Sequence, residues 1–405
     1  MKKKRLLCFL VLIVLLFSFL FSGCFDTNAA KNSAEIYCAL IFKCDTENIQ
    51  KIGISDSDKD NLLKTYEDSA KGQLKNNILL TGSSASDEQL NSLYEAYKEA
   101  LSKVTYDTKQ VSKSGDKAEV EISTTHFDFK QIDEKAASDA LDETDNMAFT
   151  STNEEIKKFN EIYLNKLTDG LKNAEISSEK SSVTFKFKKN SKFWQPDDLK
   201  NFGYKLGRLA TGQKNPDMNI DDESISPEDS AKIFWNLVIN EDSSGMEQLG
   251  YSKAFGDKIV DKMNKTDFKT LKNQFNQSDA SFSDDQIQGV LDAIRGAMRK
   301  NSVNFEQVSK TDSSSQVKVS STSIDFNSIV NEAVSKTRNQ ILSNRISDKQ
   351  KAIQIYYQNV IDLINNKQVS STTNENTFNF NKTADLWLPA DMNSYSQSIV
   401  EMNMK

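Results

Sequence analysis

The 405-residue chain has one histidine, four cysteines, four prolines and more acidic than basic side chains. A single histidine leaves no histidine-built zinc site, and no cysteine spacing supplies a metal site in its place. Dinucleotide-loop, phosphate-loop and nucleophile-elbow patterns are all missing, so the motif-bearing enzyme classes have no support. The cysteines cannot staple a small fold: Cys8 belongs to the N-terminal leader and Cys24 directly follows it, which leaves Cys38 and Cys44. These two are six apart on an apparently helical segment. Six helical residues rotate by about 600°, which points the two side chains to different faces. They are expected as free thiols. Outside the leader there are 47 basic and 58 acidic residues (51 − 4 and 58 − 0), a net charge of −11. An acidic chain with no basic stripe repels phosphate backbones, which excludes nucleic acid as a partner. It does not adhere to an anionic bilayer by charge either.

The longest apolar run is Leu6–Phe21, preceded by Lys2, Lys3, Lys4 and Arg5 and closed by Ser22-Gly23-Cys24. A charged start, an apolar stretch and a small-residue end are the parts of an export signal. The run is short for a membrane span and no basic cluster follows it. Phe21-Ser22-Gly23-Cys24 resembles a bacterial lipoprotein signal, with Phe21 where the pattern has Leu. The resemblance implies cleavage before Cys24 and a lipid on its thiol, hence attachment to the extracytoplasmic face of the cell membrane. Residues 1–23 are read as the signal peptide and 24–33 as a tether.

The remainder reads as one unit written twice. Gln110-Val-Ser-Lys113 returns as Gln307-Val-Ser-Lys310, and Thr125-His-Phe-Asp-Phe129 as Thr322-Ser-Ile-Asp-Phe326, both 197 residues later. Each copy, 34–210 and 230–405 with a linker at 211–229, opens on a helix. Ile36, Tyr37, Leu40 and Ile41 stripe the first, Ile233, Phe234, Leu237 and Val238 the second. Cys38 falls opposite Trp235, which predicts burial. Glycines at 53 and 250 predict a helix end of positive φ. Ser86-Asp-Glu-Gln89 and Ser283-Asp-Asp-Gln286 predict capping boxes that start a third, strongly amphipathic helix in each copy.

A hairpin with Ser114-Gly115-Asp116 at its turn follows. Its second strand places Val120 and Ile122 on one parity and Phe127 and Phe129 on the other, and Val317, Val319, Ile324 and Phe326 repeat the flip. Since strand side chains alternate, the flip predicts a β-bulge near Ser123–His126 and near Ser320–Ser323. A helical excursion comes next, from Asp133 to about Gly170 and from Ser328 to about Asn365. The last strands hold Val183-Thr-Phe-Lys-Phe187 with Phe193-Trp194-Gln-Pro196, and Phe378-Asn-Phe380 with Leu386-Trp387-Leu-Pro389. From Trp194 to Trp387 the offset is 193, so the second copy is four residues shorter there.

Helices first and then a bent antiparallel sheet make an α+β unit. This order resembles the NTF2-like (cystatin-like) cone, in which a curved sheet wraps a long helix. The landmarks, including the late tryptophan, are also similar to an uncharacterised domain of Firmicute surface lipoproteins. That resemblance implies no activity to carry over.

Few residues are candidates for chemistry. His126 and Asp128, two apart on one strand, would share a face as an acid–base pair. The second copy keeps Asp325 but has Ser323 in place of the histidine, which speaks against catalysis. Asp128 and Asp325 suit the cap of a following helix, or a ligand contact. Trp194 and Trp387 could stack on a cell-wall sugar, though apolar neighbours favour core packing. The chain therefore reads as a lipid-anchored, non-enzymatic binding or scaffolding module of the envelope. No cofactor is expected, and an envelope protein or cell-wall ligand is expected as partner. A small-molecule enzyme or carrier using the cone, and a solute-binding lipoprotein of a transporter, are the alternatives.

Overall fold

The computed structural model describes residues 29–77, 85–149, 151–219, 222, 225–276, 282–367, 369–370, 372–383 and 386–404. The signal peptide, most of the tether and Cys24 lie outside these residues. The chain divides into two compact units between Glu223 and Ser224. Each holds one four-stranded antiparallel sheet built wholly from its own half, in the order β1-β2-β3-β4 and β5-β6-β7-β8.

In the first unit α1 is Ala30–Lys43, α2 Lys59–Asn77 and α3 Asp87–Ser102. The hairpin strands β1 and β2 are Tyr106–Ser114 and Lys117–His126. An α-hairpin follows, α4 (Phe129–Asp145) and α5 (Thr152–Lys172), then β3 (Ser177–Asn190), β4 (Phe193–Pro196) and α6 (Leu199–Ala210). The second unit repeats the order with α7 (Pro227–Trp235), α8 (Lys253–Asn276), α9 (Asp284–Met298), β5 (Val303–Lys310) and β6 (Ser314–Thr322). It ends on α10 (Phe326–Ser343), α11 (Lys349–Asn366), β7 (Thr373–Thr383), β8 (Leu386–Pro389) and α12 (Met392–Asn403).

Alternation makes each sheet two-faced. Val120, Ile122, Val183, Phe185, Phe187 and Trp194 are buried on the inner face, and charged residues take the outer one. The inner face is covered by α1 and by α6. Phe202 of α6 meets Tyr37, Phe185 and Phe187 edge-on, with centroids 5.6, 4.8 and 5.7 Å away. In the second unit Tyr395 of α12 takes that place against Phe234, Phe378 and Phe380, and its hydroxyl donates to the Ala231 carbonyl at 2.7 Å. Burying each such ring stabilises by about 1.5–3 kcal/mol.

Both capping boxes are present, with Ser86 and Ser283 accepting from the Gln89 and Gln286 amides. Gly53 and Gly250 close short 3-10 turns at φ +93° and +80°. The tail of α7 widens into a π-helical turn at Asn236–Asn240.

Three expectations need correction. The sheet does not wrap one long helix as the cone would, for α3 packs on α1, α2 and α5 while α1 and α6 line the sheet. The predicted bulge of the second hairpin strand is absent from the second unit, where β6 pairs with β7 without a break from Ser314 to Thr322. In the first unit β2 does shift against β3 between Thr124 and His126, but the additional residues are on β3, because Thr124 faces Ser181 and His126 faces Ser177. Instead, the apolar parity changes because the strand stops. Phe127 lies in the connector and is fully buried, and Phe129 is the first residue of α4.

The hairpin's own bulges sit in the first strands, at Val111 between Gln110 and Ser112 and at Val308 between Gln307 and Ser309. Finally, α6 and α12 had no sequence expectation. Gly203 and Gly207 weaken the helical signal of α6.

Candidate functional site

His126 ends β2, half-buried. A Cβ on Gly212 would lie 2.7 Å from the His126 ring, so the ring packs where only glycine, here at φ +66°, leaves room. Asp128 stands outside the strand, and its Oδ1 accepts from the Gln131 N–H at 2.8 Å as the cap of α4. Asp325 does the same for α10, accepting from the Ser328 N–H at 2.8 Å. The two aspartates therefore answer the orphan amides of helix starts. The strand-face pairing of His126 with Asp128 fails, because alternation ends where β2 ends.

Trp194 and Trp387 are 1% and 0% exposed, so neither offers a flat face to a sugar. A lysine lies over each ring instead, Lys113 at 5.4 Å and Lys310 at 5.6 Å from the centroids. That contact depends on the bulges. Gln110 pairs with Val120, the extra Val111 turns outward, and Lys113 then pairs with buried Ala118 on the inner side. Among the described residues no group of three or more His, Cys, Asp or Glu could hold a metal. Nor is any described helix long and apolar enough to cross a membrane.

The open site lies elsewhere. A cleft of about 700 Å³ on the helical side of the first unit is lined by Lys43, Cys44, Glu67, Tyr94, Lys98 and Lys172, among others. Cys44, one of its lining residues, is in the left-handed conformation, φ +51°, where α1 ends. The Asp45 amide closes that end by donating to the Ala39 carbonyl at 3.2 Å. Both Cys38 and Cys44 are free thiols, Cys38 fully buried. Burial pushes the Cys44 thiol above its usual pKa, Lys98 opposes the rise, and Glu95 and Glu67 add to it. At neutral pH this group is a thiol.

The carboxylates of the cleft are internally matched. Glu67 pairs with Lys71, Glu95 with Lys98 at 2.6 Å and Glu99 with Lys103 at 3.2 Å. Two ammonium groups, on Lys43 and Lys172, have no carboxylate among the described residues. Lys43 rests 5.7 Å from the Tyr106 ring centroid. Tyr94 carries Lys71 and Lys98 over its ring, each at 5.3 Å.

At the equivalent place the second unit carries an ion-pair cluster. Glu241 occupies the position of Cys44 and shares its backbone, at φ +53°, with the Asp242 amide donating to the Asn236 carbonyl at 3.0 Å. Its carboxylate lies 3.1 Å from Arg295 Nε and is also paired with Arg299. Arg295 is the counterpart of Lys98 and Arg299 that of Ser102, both by the offset of 197. Arg295 further holds Asp267 at 3.0 Å.

Residues 27–207 and 226–402 each match a family model described as a domain of unknown function (DUF5105). No curated protein matches the chain. Among solved structures there is a match to a candidate lipoprotein (ycdA) from Bacillus subtilis subsp. subtilis str. 168. It has 24% identity and a TM-score of 0.35, over 46% of this chain and 56% of that one, about half of each.

Proposed function

The chain belongs to the DUF5105 domain-of-unknown-function family, in two tandem copies, and we propose that it is a binding module rather than an enzyme. It is held on the outer face of a bacterial cell membrane by a lipid on Cys24. The observation that carries this reading is the difference between the two units at one site. The first leaves a cleft at Cys44, and the second places the Glu241–Arg295–Arg299 cluster at the equivalent position. The inner side of each sheet, where an NTF2-like cone would hold a substrate, is filled by rings from α1 and α6 or from α7 and α12. Asp128 and Asp325 cap helices, and the tryptophans are core residues. A transporter's solute-binding lobes exchange strands between halves, whereas each sheet here comes from one half.

Native mass spectrometry of the full protein, purified with its lipid from membranes, tests the reading. The expected species begins at Cys24, carries a diacylglyceryl group and releases a small molecule on collisional activation. An intact leader or an unmodified Cys24 would overturn the anchoring, and a persistently ligand-free chain would overturn the binding role.

A further inference from the structure

We propose that the Cys44 cleft of the first unit is a receptor for a small carboxylate, which takes the place that the Glu241 side chain fills in the second. This deepens the binding reading above and rests on it. The second unit acts as an internal template, showing what its scaffold accepts at this point. A carboxylate projecting from the left-handed residue after the first helix is met by cations from the third helix. The first unit keeps that backbone, with φ +51° against +53° and the same amide closing the helix end. It also keeps a cation on the third helix, Lys98, at the position of Arg295. The carboxylate is gone, replaced by the shorter Cys44, the second cation is replaced by Ser102, and a cleft stands open beside them.

The charges point the same way. All three glutamates of the wall have their own lysines, while Lys43 and Lys172 are left without a carboxylate. An entering carboxylate would satisfy these two ammonium groups through charge-assisted hydrogen bonds, with Tyr94 and Leu63 as the neighbouring apolar surface. Arg299 has no cationic equivalent, since Ser102 stands there and donates to the Glu99 carbonyl at 2.7 Å. The first unit thus holds its anion with lysines, which bind as point charges and release more readily than a bidentate guanidinium.

The probe is N-acetylglycine, with its uncharged amide N-acetylglycinamide as control, titrated by ligand-observed NMR into the full chain lacking only the lipid. Saturable binding of the acid at low salt, and at least tenfold weaker binding of the amide, are expected. Cys44→Glu should abolish it, because the tethered carboxylate occupies the site, while Cys44→Ser should retain it. Lys172→Ala, at an exposed position that folding does not depend on, should weaken it by about two- to fivefold, the scale of one solvated ion pair. Equal binding of acid and amide at the cleft would overturn the carboxylate assignment and leave a binding module standing. Undiminished binding in both Cys44→Glu and Lys172→Ala would place the acid elsewhere and overturn it too. Failure of the acid to bind at all overturns it as well, and the native mass spectrum separately reports whether the chain carries any ligand.

Discussion

Asp128, Asp198, Asp325 and Asp391 show how much of this molecule rests on single carboxylates at helix starts, since each accepts an amide three residues on. Asp128→Ala or Asp325→Ala should cost about 1 kcal/mol in denaturant unfolding, and Asn at either place should cost little, because its oxygen caps as well. A catalytic Asp128 would instead leave stability unchanged. For Asp198, burial raises the pKa, but amide and side-chain hydrogen bonds from Asn201 and the Lys200 amide outweigh it, leaving the carboxyl below its ordinary value. Asp242 is lowered chiefly by the Ser244 amide. A pKa depressed on folding gives stability that is present above the unfolded value, about 3.9, and lost as pH falls through the folded one. Thermal unfolding temperatures should therefore hold between pH 7 and 5 with respect to these groups and drop below about pH 4. Asp198→Asn should blunt that drop. The caps at Asp128 and Asp325 were legible in the sequence because a cap is a local matter of residue type. The His126–Asp128 pairing misled because it assumed a strand two residues longer than the chain makes.

At the scale of elements, the repeated Gln-Val-Ser-Lys stretch is a bulge with a purpose. Val111 and Val308 are 51% and 47% exposed and contribute no core, yet each shifts its strand by one residue so that the following lysine faces inward over a tryptophan. Val111→Thr should be neutral within about 0.5 kcal/mol. Deleting Val111 should cost more than 1 kcal/mol and red-shift tryptophan emission, since Lys113 would move to the outer face and uncover Trp194. A deletion variant with unchanged stability and emission would remove the bulge from any role in seating the lysine. The parity argument for a bulge was right in kind and wrong in place. It followed the large residues Phe127 and Phe129, whose pattern is broken by a helix start, and overlooked the short strand, where Gln110 and Lys113 carry the real shift. The α6 and α12 helices were illegible for a different reason. They are short, and their burial depends on a sheet formed by residues far away in sequence.

Across the whole molecule, the 197-residue offset made the duplication readable without coordinates, but not what the copies had traded. The two α-hairpins bury polar contacts at different depths. Asp133 and Tyr163 bond in α4 and α5, where the second unit has Val330 and Val360. Asn359 donates to Thr337 at 2.9 Å and to Gln340 at 2.8 Å, where the first unit has Ile162, Ala140 and Glu143. The exchange of Glu241 for Cys44 is of the same kind, and it needed the fold to show that residues 44, 98 and 102 converge from two helices. Cys38 could be matched with Trp235 because burial is a property of one position, whereas a cleft belongs to several. Such independent exchanges imply that each copy settles its own core. Differential scanning calorimetry of residues 25–222 and 225–404, produced separately, tests that claim most directly. Each half should unfold in one cooperative transition with native-like circular dichroism. A half that shows no transition and no fixed tertiary signal would contradict it.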